Sequence, residues 1–144
     1  MRILVSACLV GVNCRYNAKP IPVGEEFAQL MEKHELIPFC PEAYGGLTTP
    51  RVPSEIRDGR VFSSQGRDVT EEFERGAREA LALARRFGCE VAVLKEKSPS
   101  CGSGFVYDGS FTGRLVEGDG VTAGLLKDAG IHVYGESQLA GLLK

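Results

Sequence analysis

Long hydrophobic runs are missing from this chain of 144 residues. None approaches the ~18 apolar residues that a membrane span requires. A charge excess is missing too: 17 Lys and Arg stand against 19 Asp and Glu, a formal net charge of −2. Without a basic stripe, the electrostatic footprint of a nucleic-acid binder is absent. No CxxC pair occurs, which removes the usual signature of thioredoxin-like redox chemistry and of zinc ribbons. There is no internal repeat, linker or low-complexity tract, so residues 1–144 read as one domain. The apolar start "RILVSA" is short and is followed by polar, turn-forming residues. It reads as a first strand, not a signal peptide, and implies a cytoplasmic chain with reduced thiols.

What is present is an ordinary globular composition, 43% hydrophobic and 25% charged, with five cysteines: Cys8, Cys14, Cys40, Cys89 and Cys101. An odd number is a poor disulfide framework. Apolar runs at "RILVSA", "LIPF", "EVAVLK" and "IHVYG" read as four core strands. Helices are expected over Glu25 to His34 (Phe27, Leu30, Met31 and His34 on one face), over "DVTEEFERGAREALALARRFG", near Val121 to Ala129, and at "SQLAGLL". In the longest helix Asp68 and Glu71 suit a capping box, Phe73, Ala77, Ala80, Leu81 and Ala84 form the apolar stripe, and Gly88 is a stop. "SEIRDGRVFS" reads as a hairpin turning at Asp58-Gly59, and "PEAYGGLTTPRVP" as a loop. Strands alternating with helices predict a three-layer α/β domain with a mainly parallel sheet covered on both faces.

In such sheets ligands bind beyond the carboxyl ends of the strands. Cys8, Cys40 and Cys101 each follow a predicted strand directly or on its loop, so three crossings deliver three thiols to one edge. Cys89 enters its strand at the opposite end and reads as a small core residue. Thiolates select zinc, Cu(I) or iron–sulfur clusters, and a cubane held by three cysteines keeps one iron open. Glu42, in "CPE", and Ser98, in "SPSC", stand close to this edge, on an extended segment and a turn respectively. Their plainer readings are a solvated loop carboxylate and a turn residue. Three rivals stay open at this point. Cys14 as a fourth ligand would close the cluster and make an electron carrier or sensor. Three thiolates with Glu42 would make a zinc-dependent hydrolase. A cluster-free module could hold an anion on Arg15, Lys19, Arg51 and Arg57.

The motifs "SACLVGVNCRYN", "CPEAYGGLTTPR", "KEKSPSCGSG", "YDGSFTGR" and "GDGVTAGLL", in this order and over nearly the whole chain, resemble those of the thiouracil desulfidase family. The resemblance implies a Rossmann-like α/β domain, a [4Fe-4S] cluster held by Cys8, Cys40 and Cys101 with one open iron, and catalytic roles for Glu42 and Ser98. It implies non-redox removal of sulfur from a thiolated pyrimidine, 2-thiouracil or a 4-thio relative, with release of sulfide. The expected partner is thus a small thiolated base or nucleoside, with no nucleic acid and no membrane. Relatives acting on thiolated transfer RNA resemble this domain fused to a nucleic-acid-binding one, which is not expected here. Asn17, where aspartate is frequent, and "TTPRVPSE" depart from the commoner pattern and bear on substrate preference.

Overall fold

The structure is a computed structural model, and it describes residues 1–12, 15–17 and 24–142. Cys14 and Lys19 lie outside the described residues. The chain runs β1 (Arg2–Ser6), a 3-10 turn (Ala7–Val10), α1 (Glu25–Lys33), β2 (Glu35–Phe39), α2 (Pro41–Tyr44), β3 (Ser54–Arg57), β4 (Arg60–Ser63) and α3 (Thr70–Phe87). It continues through β5 (Val91–Leu94), β6 (Phe105–Tyr107), β7 (Leu115–Glu117), α4 (Val121–Asp128), β8 (His132–Gly135) and a 3-10 segment (Glu136–Leu142).

The central sheet has the order β2-β1-β5-β8, and every pair in it is parallel. Its inner strands are apolar on both faces, as a sheet covered on both sides must be. Alternation along a strand then sorts the side chains into two cores. Ile3, Val5, Val91 and Val93 pack with Phe27 and Leu30 of α1 and with Leu139 and Leu142. Leu4, Ala92 and Leu94 pack with Ala80 and Ala84 of α3 and with Ala123 and Leu126 of α4. This is the expected three-layer α/β domain. Pro38 is tolerated in β2 because that strand lies on the sheet edge.

Some local expectations need correction. The capping box does not form. Asp68 instead accepts a hydrogen bond from the Thr70 N–H at 2.9 Å and one from Arg60 Nε at 2.7 Å, and Glu71 reaches outward to Arg75. The Thr70 hydroxyl is drawn away to accept the Val61 N–H at 2.8 Å, tying the helix start to β4. Met31 is exposed, because the apolar contact of α1 is carried by Phe27 and Leu30. The "PEAY" loop contains a helical turn, α2, with Pro41 at its first position, where its fixed φ and missing N–H are tolerated. The hairpin β3–β4 does turn at Asp58 and Gly59, both at positive φ, as a two-residue loop of this hand requires. Gly88 ends α3 in the left-handed conformation. The antiparallel pair β6–β7 was not legible in the glycine-rich stretch that holds it.

Candidate functional site

Because the sheet is parallel, β1, β2 and β5 end on the same edge, and the segments that follow them build a cavity of about 520 Å³. Cys8, Cys40, Cys101, Glu42 and Ser98 all line it. The structure therefore brings together all five residues singled out from the sequence. Cys89 is buried at the other end of the sheet. Burial raises its thiol pKa, and its charged neighbours are Arg2 and Glu35 at the strand starts.

Each thiol is set by a different local device. Cys8 sits in the 3-10 turn after β1, which Gly11 closes. Cys40 is the residue before α2, in extended backbone, and its carbonyl accepts the Tyr44 N–H at 3.0 Å. Two residues on, Glu42 lies in the first turn of a helix rather than on an extended segment, yet it still faces the cavity. Cys101 is held by Ser98, whose hydroxyl oxygen accepts the N–H of Ser100 and of Cys101, both at 3.1 Å. Ser98 is thus a turn residue as well as a wall of the cavity.

Two helices fix these loops from behind. α2 packs against α3 at Gly76, where an added Cβ would stand 1.9 Å from the Pro41 carbonyl oxygen. Only glycine permits that approach. The Cys101 loop is bound to the start of α4: Val121 N–H donates to Pro99 O at 2.9 Å and Thr122 N–H to Ser100 O at 2.8 Å. Buried Ser100 and Thr122 hydroxyls join at 2.7 Å. The "GDGVTAGLL" motif is this clamp.

Burial dominates the electrostatics of Glu42 and Cys101. Burial raises the Glu42 carboxyl above the usual carboxylate range, against the opposing pull of the Arg51 guanidinium at 3.4 Å. Burial also pushes the Cys101 thiol up to about 12; hydrogen bonds from Ser6 and Ser100 act against this, and the charges of Glu42 and Cys40 act with it. Sequence reasoning missed Ser6, which also accepts the Lys95 N–H at 2.9 Å and so joins the ends of β1 and β5. Its signal was a lone hydroxyl closing an apolar strand. Arg51, an anion ligand only in the rival cluster-free reading, pairs with Glu42 and donates to Thr48 O at 2.9 Å. Arg57 lies over the Phe62 ring at 4.6 Å, away from the cavity, whereas Arg15 does line it.

Among the described residues, no three His, Cys, Asp or Glu side chains gather tightly enough for a single metal ion. Cys8, Cys40 and Cys101, as soft thiols on the walls of one cavity, are the residues that could serve as ligands to an iron–sulfur cluster, whose cysteine ligands attach to different irons. Fold and site together define an α/β domain with a thiol-walled small-ligand cavity beyond the carboxyl ends of a parallel sheet. The family model of 2-thiouracil desulfurase matches residues 3–138, and the chain belongs to that family. The chain is 42% identical over 151 aligned positions to the uncharacterized protein YbbK of Bacillus subtilis (strain 168), covering 98% of this chain and 99% of that one. It is 45% identical to a solved structure described as the [4Fe-4S]-dependent thiouracil desulfidase TudS, with a TM-score of 0.93, covering 98% of this chain and 94% of that one.

Proposed function

We propose that this protein is a desulfidase that converts a free thiolated pyrimidine, 2-thiouracil or a 4-thio relative, to its oxo form. The observation that carries the reading is the convergence of Cys8, Cys40, Cys101, Glu42 and Ser98, from three separate strand ends, on one cavity. Cys8, Cys40 and Cys101 would hold a [4Fe-4S] cluster, which would supply Lewis acidity toward the thiocarbonyl sulfur.

The remaining chemistry belongs to the chain. The base lies in the cavity with its thiocarbonyl carbon toward Glu42. Glu42 accepts the proton of a water as that water attacks the carbon, and a carboxyl raised by burial is a better base near neutral pH. Arg51 holds the carboxylate in place from outside the cavity. Ser98 already accepts two N–H groups through its oxygen, so its hydroxyl proton remains available to the substrate. The carbon–sulfur bond breaks with its electron pair on sulfur, the oxo base forms, and sulfide leaves. No electron is gained or lost overall. The test is anaerobic reconstitution followed by iron and sulfide analysis and by assay of 2-thiouracil and 4-thiouracil. Stoichiometric iron and sulfide with uracil formed are expected, and a loaded protein that leaves both 2-thiouracil and 4-thiouracil unchanged overturns the reading.

A further inference from the structure

The motif "YDGSFTGR", Tyr107 to Arg114, has no part in the chemistry above, yet Tyr107, Phe111 and Gly113 line the same cavity. The segment joins β6 to β7, far along the chain from Cys8, Cys40 and Glu42 and on the next loop after that of Cys101. Its shape is imposed. Asp108 accepts the Ser110 N–H at 2.9 Å, and the Ser110 and Thr112 hydroxyls meet at 2.6 Å. The main anchor comes from the β3–β4 hairpin. Glu55 is buried, and its Oε1 accepts the N–H of Gly109 at 3.0 Å and of Phe111 at 3.2 Å. Gly109 has φ +93°, and a Cβ there would strike Arg57 and the Ile56 carbonyl. Phe111 itself sits at φ 59°, a region that aromatic L-residues avoid.

An aromatic residue held in unfavourable backbone and still 37% exposed is not there for the core. Such conformations persist where the surroundings over-determine them, and they cluster at ligand sites. A ring at the wall of this cavity offers a stacking face to a flat heterocycle. We infer that Phe111 is a binding residue that stacks on the ring of the thiolated base, and that Glu55 is the positioning residue that presents it. This rests on the desulfidase reading for the identity of the ligand. It adds the contact that selects a planar heterocycle over other thiocarbonyl compounds.

The test uses cluster-loaded protein under anaerobic conditions, in a Glu42→Gln background that halts turnover, with equilibrium dialysis of labelled 2-thiouracil. Phe111→Leu, which keeps apolar bulk but removes the π face, should weaken binding about tenfold, and Phe111→Tyr should restore it to within about twofold. Glu55→Ala should weaken binding like Phe111→Leu. Glu55→Gln, whose amide oxygen can accept the same two N–H groups, should not. With Glu42 intact, Phe111→Leu should lower kcat/KM through KM, while kcat stays within about threefold. Binding by Phe111→Leu within twofold of its parent overturns the proposal, whatever Glu55→Ala does. Should the parent bind thiouracil while the Glu42-intact enzyme releases no sulfide, the desulfidase reading fails, and the Phe111 contact is still decided by the dialysis. If the parent binds no thiouracil, both fall.

Discussion

Glu42 and Arg51 form a pair whose two members do different work. Arg51 is anchored to the backbone at Thr48 and bonded to Thr49, so it gives the carboxylate a fixed neighbour. Glu42 faces the cavity, where burial makes its charged form less favourable. Glu42→Gln keeps the shape and removes the proposed base. Turnover should fall by ~10²–10⁴-fold, the usual worth of a general base, while iron content per chain stays unchanged. The thiols are tested the same way. Cys101→Ser should lose both the brown colour and the activity. Cys14→Ser should keep the cluster and most of the activity, and a colourless Cys14→Ser protein would favour a closed four-cysteine carrier.

Among elements, α3 decides where α2 stands, and α2 carries Glu42 and follows Cys40. Gly76 is a poor helix residue, less favourable than alanine by ~1 kcal/mol in a free helix. Here alanine should lose despite that gain, since its methyl would have to displace the Pro41 carbonyl. Gly76→Ala is expected to lower the unfolding free energy by ~1–3 kcal/mol in urea titrations and to reduce kcat as α2 shifts. At the start of the same helix, Asp68 accepts bonds from the Thr70 N–H and from Arg60, and its carboxyl is lowered to about 2. A depressed folded pKa gives stability that is complete above the unfolded value, near 4, and is lost as pH falls through about 2. The Tm difference between wild type and Asp68→Ala should therefore be steady above pH 5 and shrink toward pH 2. A difference independent of pH would show that the bonds do not need the charge.

At the scale of the whole molecule, the balance of charge bears on which ligands are drawn to the surface. With 17 basic and 19 acidic residues the surface offers little attraction to a phosphate chain. Arg51, Arg60, Lys95 and Lys127 are each paired with a carboxylate. Sulfide release from thiouracil should thus be unaffected by added transfer RNA at moderate salt. Strong inhibition, steeply relieved by salt, would mean that several phosphates are being neutralised. No helix among the described residues is long and apolar enough to cross a membrane.

The alternation of apolar strands with amphipathic helices was by itself enough to determine a parallel three-layer sheet. Parallel pairing then put every strand end, and so Cys8, Cys40 and Cys101, on one edge. That much follows from local periodicity and chain direction, which are properties of the sequence. The hairpin at Asp58-Gly59 and the stop at Gly88 were legible for the same reason, since the backbone geometry they need is local. The capping of α3 was not, because Asp68 is drawn to Arg60 of β4, a partner outside the helix. The pairing of Arg51 with Glu42, the clamp of Ser100 on Thr122, and the hold of Glu55 on the Phe111 loop join residues with no shared period. Only the packing of layers and hairpins brings such groups within hydrogen-bond reach. The sequence could therefore name the reactive groups, but their partners and orientation were decided by the tertiary structure.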